Sequence, residues 1–230
     1  MNTTSVKVLS GLSILVILFC IHSAQAQSLK DCDGNEYKTI KYGMQEWTAT
    51  NLNVTHFLNG DVIPEAKTDE EWIKAGDEGK PAWCYFNNDP ENRKKFGNLY
   101  NWYAVNDPRG LASKGWQVPA SPDWSKLVKN LLGVDIAGTK LKSKTGWKSL
   151  NGTDNIGFAA LPGGYRNEKG EFKELGSKCQ WWANSEPLEV KKSNMIYSLM
   201  LNNHSIEVRF LKMNKSNGLS VRCIKDDTGR

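Results

Sequence analysis

Apolar and polar residues alternate along Tyr37-Lys38-Thr39-Ile40-Lys41, turn at Tyr42-Gly43 and return along Gln45-Glu46-Trp47-Thr48-Ala49. That pattern predicts an N-terminal β-hairpin. Thr68 with Glu71 three residues on has capping-box spacing and predicts a short helix that Gly76 ends. Residues 96–105 place Leu99, Trp102, Tyr103 and Asn106 at helical spacing, and Asp107-Pro108-Arg109-Gly110 closes that helix. Ser121-Pro122 predicts a further helix start. Trp124, Leu127, Val128 and Leu131 then recur at i, i+3, i+4 and i+7, which gives one core-facing stripe that Gly133 ends. After Gly138 the pattern shortens. Extended runs are predicted around Phe158 and over residues 171–175, 180–183, 195–201, 205–213 and 219–224, with Asn167-Glu168-Lys169-Gly170 and Asn202-Asn203-His204 as turns. Consecutive strands with short turns imply an antiparallel meander. The expected class is α+β: two helices packed on a curled antiparallel sheet, which the N-terminal hairpin joins.

The first 26 residues read differently. Lys7 precedes an apolar run at residues 12–21, and Ala24-Gln25-Ala26 is a small-x-small site, so a signal peptide cleaved after Ala26 is expected. The run is too short for a stable membrane span. The bulky Ile17-Leu18-Phe19 before Cys20 disfavours lipidation there. Residues 27–230 are expected to form one domain, periplasmic or secreted. Only seven residues follow Cys223, which leaves no room for a C-terminal sorting domain and favours periplasm or soluble secretion. The full chain carries a net charge of +5, or +4 without Lys7, and has no block of five like charges, so nucleic acid is not an expected partner. Nine tryptophans suit a loop-rich domain with an aromatic core.

Four cysteines remain beyond the leader: Cys32, Cys84, Cys179 and Cys223. In an exported chain they permit two disulfides in three connectivities. Cys223 ends the last predicted strand and Cys84 lies in a long loop able to reach it, which favours Cys84–Cys223 and leaves Cys32–Cys179. No cofactor or metal is expected. Asp31, Asp33 and Asn35 imitate the start of a calcium loop, but Glu36 stands where such a loop needs Gly and Tyr42 where it needs Glu. His56 and His204 are the only histidines beyond the leader, and no zinc spacing, nucleophile elbow or phosphate loop is present.

Several motifs together resemble one family. They are Lys38-Thr39-Ile40-Lys41-Tyr42-Gly43 with Gln45 and Trp47, Asn51-Leu52-Asn53, and Tyr85-Phe86-Asn87-Asn88-Asp89-Pro90. Gly97-Asn98-Leu99-Tyr100-Asn101-Trp102-Tyr103-Ala104-Val105, Gly115-Trp116 with Val118-Pro119, and Phe158 with Ala160-Leu161-Pro162-Gly163-Gly164-Tyr165-Arg166 follow, and Val221-Arg222-Cys223 ends the set. From Asp31 to Asp226 the chain resembles the Fibrobacter succinogenes major paralogous domain, found in exported proteins of Bacteroidota and Fibrobacterota. The resemblance implies a C-type-lectin-like fold with both termini in one sheet, and no particular activity. Many members have Cys-Pro where this chain has Ser113-Lys114, which makes the partner of Cys223 uncertain.

The fold so implied puts ligand contacts in the loops between residues 140 and 189. Arg166, Trp182, Asn184 and Glu186 are the expected binding residues. An Arg fork beside an aromatic ring suits a glycan acid or a protein carboxylate; the competing role for Arg166 is an ion pair with Glu186 or Glu171. A lectin-type calcium site is disfavoured because Leu188 stands where a ligand is needed. Enzymes on a formylglycine-generating-enzyme-like scaffold need paired cysteines or three histidines, which this chain lacks. The expected function is an exported, non-catalytic module that binds an unidentified glycan or protein. The alternatives are a structural or adhesin subunit of a surface assembly, or such an enzyme.

Overall fold

The computed structural model describes residues 28–185 and 193–226. The first half contains β1 (Ser28–Lys30), β2 (Glu36–Tyr42), β3 (Gln45–Thr48), α1 (Asp69–Asp77), β4 (Trp83–Cys84), α2 (Pro90–Phe96), β5 (Leu99–Tyr100) and α3 (Trp102–Val105). The second contains β6 (Trp116–Gln117), α4 (Ser121–Asn130), α5 (Val134–Leu141), β7 (Tyr165–Arg166), β8 (Phe172–Lys173), β9 (Lys178–Trp182), β10 (Met195–Asn202), β11 (Arg209–Asn214) and β12 (Ile224–Lys225). A five-stranded sheet has the order β1-β2-β3-β12-β6, and a three-stranded sheet the order β11-β10-β9. The pairs β4-β5 and β7-β8 complete the strand set. The strand pairs are antiparallel, and the first and last strands share one sheet, as the family resemblance implies.

Residues 218–223 sew these sheets together. Gly218 exchanges backbone hydrogen bonds with Arg166 of β7 (3.0 and 2.7 Å), and Leu219 does so with Tyr100 of β5 (2.9 and 3.1 Å). Ser220 N–H donates to Gln180 O of β9, and the carbonyls of Val221 and Cys223 accept from Leu52 and Thr48. An extended segment crossing four strand groups satisfies backbone groups that strands of two residues cannot satisfy alone.

The α+β expectation holds, with five α-helices among the described residues rather than two. The capping box forms: Thr68 Oγ1 accepts from Glu71 N–H and Glu71 Oε2 from Thr68 N–H, each at 3.2 Å. The apolar stripe of α4 buries Trp124, Leu127 and Val128. Residues 96–105 are not one helix. A Cβ on Gly97 would lie 2.9 Å from Leu52 O and its φ is +76°, so the chain turns there. Leu99 and Tyr100 then extend to pair with β4, and helical spacing resumes only at Trp102, where the Asn101 side chain accepts from Ala104 N–H at 3.0 Å. Asp89 and Pro90 are the N-cap and first residue of α2. Gly138, expected to end helical structure, lies inside α5, where a Cβ would meet Ile206 O at 2.4 Å. It is there for close packing, which sequence alone does not distinguish from a helix stop.

Eight of the nine tryptophans are buried, and Trp116 is half-buried. Trp181 and Trp182 point to opposite faces of β9, yet neither faces solvent. Trp181 packs with Trp124 and Phe158, and Trp182 with Trp102. Their indole N–H groups donate to Asn51 Oδ1 (2.9 Å) and Tyr100 O (2.8 Å).

The disulfide expectation is corrected: Cys32, Cys84, Cys179 and Cys223 are all free thiols. Cys84, Cys179 and Cys223 belong to three different hydrophobic clusters, and Cys32 is exposed at the β1–β2 turn, so neither Cys84–Cys223 nor Cys32–Cys179 is brought together. Among the described residues no helix is long and apolar enough to cross a membrane. The leader at residues 1–26, with Cys20, lies outside the described residues.

Candidate functional site

Among the described residues, the expected binding residues Arg166, Trp182 and Asn184 do not form one exposed site. Arg166 is fully buried. Its Nε donates to Gly170 O (2.7 Å), Nη1 to Ala66 O (2.9 Å), and Nη2 to Thr68 O and Asp69 Oδ1 (both 2.9 Å). Its guanidinium carbon lies 4.9 Å from the Trp72 ring and 4.7 Å from the Phe172 ring. Among the described residues its acidic partner is Asp69 and not Glu171. The backbone at Gly163-Gly164, just before Arg166, is closely packed by protein and leaves no room for a ligand. A Cβ on Gly164 would meet Lys173 O at 2.4 Å, and one on Gly163 the Phe96 side chain at 3.0 Å. Trp182 is likewise fully buried. Asn184 is exposed and borders a cavity of about 400 Å³ with Trp116 and the 105–118 segment. Glu186 and Leu188 lie outside the described residues.

The calcium-like turn is an Asx turn. Asp31 Oδ1 accepts from the N–H groups of Asp33 (3.0 Å) and Asn35 (2.9 Å), and Oδ2 accepts from Asn35 Nδ2 (2.8 Å) and the Tyr37 hydroxyl (2.5 Å). Its carboxylate is spent on folding the turn that presents Cys32, Asp33 and Asn35.

A different constellation forms between that turn, the 50–60 segment and α2. Two cavities, of about 590 Å³ and about 300 Å³, adjoin here and share Asn35 and Arg93. Cys32, Asp33, Thr55, His56 and Gly60 line the first; Thr50, Asn53, Lys94, Lys95 and Phe96 are among the residues lining the second. The Asp89 cap and Pro90 start α2 so that Arg93, one turn on, reaches the seam. Its Nε donates to Asn53 Oδ1 (3.1 Å) and Asn98 Oδ1 (3.2 Å), and Nη2 to Asn53 O (3.4 Å). Its guanidinium carbon sits 5.0 Å from the Trp83 ring and 6.0 Å from the Tyr85 ring. Among the described residues no carboxylate lies within ion-pair distance of Arg93, and its Nη1 has no hydrogen-bond acceptor. The guanidinium is thus oriented by amides and rings while keeping unspent donors.

The rim of the larger cavity is ordered by Asp33. Its Oδ1 holds His56 Nδ1 at 2.6 Å, and Oδ2 accepts from Thr55 N–H (2.5 Å) and Oγ1 (2.9 Å). Partial burial works to raise the Asp33 pKa, but the Thr55 donors and His56 outweigh it and hold the carboxyl below its usual range. The Cys32 thiol donates to His56 O (3.5 Å) and Phe57 O (3.6 Å), and burial together with the Asp33 and Asp31 charges raises its pKa. A thiol so held is a weak nucleophile near neutral pH. Sequence reasoning missed Arg93; reading Asp89-Pro90 as a helix start places Arg93 one turn into α2, beside the Asn51-Leu52-Asn53 motif.

The family model described as the Fibrobacter succinogenes major domain matches residues 40–225. No match is found among curated proteins or among solved structures. The matched span covers every element from β3 to β12, while the turn that supplies Cys32, Asp33 and Asn35 precedes it. The chain belongs to the Fibrobacter succinogenes major domain family.

Proposed function

We propose that the chain is an exported, non-catalytic binding module, periplasmic or secreted, that holds an acidic glycan of the cell envelope or extracellular space at Arg93. The proposal includes a C-type-lectin-like fold, supported by the family and by the presence of β1 and β12 in one sheet. The observation that carries the reading is Arg93: a cation with donors to spare, no carboxylate partner among the described residues, and two cavities meeting at its head. Guanidinium groups bind carboxylates through paired, charge-assisted hydrogen bonds. The lining favours a glycan over a protein carboxylate. The walls are mostly polar, with Asn, Thr and His beside the cations Arg93, Lys94 and Lys95 and the carboxylates Asp33 and Glu36, whereas protein interfaces centre on large apolar and aromatic anchors.

The test is titration calorimetry of purified residues 27–230 against acidic and neutral oligosaccharides, with Arg93→Met and Arg93→Lys beside the wild type. Acidic sugars should bind and neutral ones should not, and Arg93→Met should weaken binding at least tenfold while remaining folded, with a melting temperature lowered by the loss of the Asn53 and Asn98 hydrogen bonds. Equal binding by wild type and Arg93→Met sinks the reading.

A further inference from the structure

The two cavities are more room than one acidic sugar needs. Small-molecule sites span roughly 300–1,000 Å³, so each cavity is by itself large enough for a sugar unit, and the pair adjoins at Asn35 and Arg93. A second cation lies beyond the seam. Lys95 Nζ sits 5.0 Å from the Phe96 ring, and no described carboxylate lies within ion-pair distance of it. Neighbouring Lys94, by contrast, is engaged by Glu91 at 2.6 Å. The walls of the second cavity carry unspent polar groups beside one exposed carboxylate, Glu36. Asn35 uses its Nδ2 on Asp31 and on Asn53 O, leaving Oδ1 as an acceptor, and the Thr50 side chain is exposed. At the far end, Asp33 and Thr55 fix His56 through Nδ1, so its other ring edge is what remains for a ligand.

We propose that the ligand is an oligomer: a glycan bearing an anionic group on consecutive sugar units, laid across both cavities. Arg93 takes the anion at the seam, Lys95 takes the next one along the chain, and Asn35 and Thr50 meet hydroxyls between them. This inference rests on the Arg93 reading and adds the class and minimum length of the ligand. Two cationic contacts on one strand of ligand act together, because the second forms at the high effective concentration set by the first.

The experiment is calorimetry with galacturonate oligomers of one to four units, a sulfated oligosaccharide of matched length, and a glutamate-rich peptide. Wild type should gain at least tenfold in affinity between one unit and three and then level off. Lys95→Ala, at an exposed position, should bind the monomer within twofold of wild type and lose the gain with length. Raising salt should weaken the trimer more than the monomer. An affinity that is flat with length while remaining sensitive to Arg93→Met overturns the oligomer inference and leaves the Arg93 reading standing. Monomer binding indifferent to Arg93→Met overturns both. Preference for the sulfated over the carboxylated series identifies the anion as sulfate and keeps the inference; peptide binding as tight as the trimer's overturns it in favour of a protein partner.

Discussion

Replacing Arg166 by methionine removes the guanidinium and keeps most of the apolar stem. Two backbone carbonyls, Gly170 O and Ala66 O, then lose their donors in fully buried bonds, while Thr68 O keeps the Trp72 N–H at 3.2 Å. Each buried acceptor left without a partner costs about 1–3 kcal/mol, and the cation stacked against Trp72 and Phe172 contributes about 1 kcal/mol more. Methionine recovers part of this through its own burial, so Arg166→Met should destabilise by about 3–5 kcal/mol. The ion pair itself adds little. The Asp69 side chain is 59% exposed, so Asp69→Asn should cost at most about 1 kcal/mol. Urea unfolding followed by the fluorescence of the buried tryptophans measures both. Two outcomes refute the reasoning: Arg166→Met within 1 kcal/mol of wild type, or Asp69→Asn as damaging as Arg166→Met.

The remaining predictions concern thiols, pH, metal and capping. Native Ellman titration should find one reactive thiol, Cys32, and denaturation should release Cys84, Cys179 and Cys223; unchanged gel mobility on reduction checks the absence of a disulfide. Asp33→Asn should speed the reaction of Cys32 at pH 8, since that carboxylate raises its pKa; an unchanged rate counts against it. Burial pushes Cys84 and Cys223 up to about 12. Their stabilisation is complete below the unfolded thiol value of about 8.5 and is lost as pH rises towards 12. Stability should therefore fall above pH 8.5, and Cys84→Ala should lessen that slope by up to about 1.4 kcal/mol per pH unit, read from urea midpoints between pH 7 and 10.5. Thermal melts in EDTA and in excess calcium should coincide, because Asp31 is saturated by four donors. Thr68→Ala should cost about 1 kcal/mol through the α1 capping box.

Local signals with local causes were legible. The β2–β3 hairpin, the Thr68–Glu71 box and the α4 stripe are each set by residues within a few positions of one another, and all three form. Signals whose cause lies elsewhere in the chain were not. Gly97 is shaped by Leu52 O, Gly138 by Ile206 O and Gly164 by Lys173 O, so each glycine marks a close approach that sequence reads as a stop or an opening. The tryptophan pair failed for a related reason. Alternation along β9 does separate Trp181 from Trp182, but both faces of this strand are covered, by helix α4 with Phe158 on one side and by Trp102 on the other. Of the expected site residues, Arg166 and Trp182 are buried, and the sequence reading did not single out Arg93, where the site is proposed instead.

Why Arg166 misled follows from how this fold treats cations. Strands of two residues and long connections leave many carbonyls that no sheet partner can reach, and buried carbonyls need donors. A guanidinium supplies five N–H groups in one plane and can serve several loops at once. Arg166 serves three carbonyls. Arg222, pushed down to about 9 by burial, donates to Thr48 O (2.8 Å) and Asn51 Oδ1 (2.8 Å). Lys142, whose pKa burial also lowers, donates to Leu150 O (3.2 Å) and Ser205 O (2.7 Å). These three side chains are at most 2% exposed and tie segments far apart in sequence. Arg93 is placed differently. Its main acceptors are two asparagine side-chain oxygens, its rings lie beside it, and Nη1 is left over at a cavity seam. Residue type and an aromatic neighbour are common to Arg93, Arg166 and Arg222, so neither separates a staple from a ligand contact. Unspent donors alone do not separate them either, since among the described residues Arg222 Nη2 also has no acceptor; the difference is access, because Arg222 is buried whereas Arg93 is half-buried where two cavities adjoin, and that is why the proposed ligand anion is placed there.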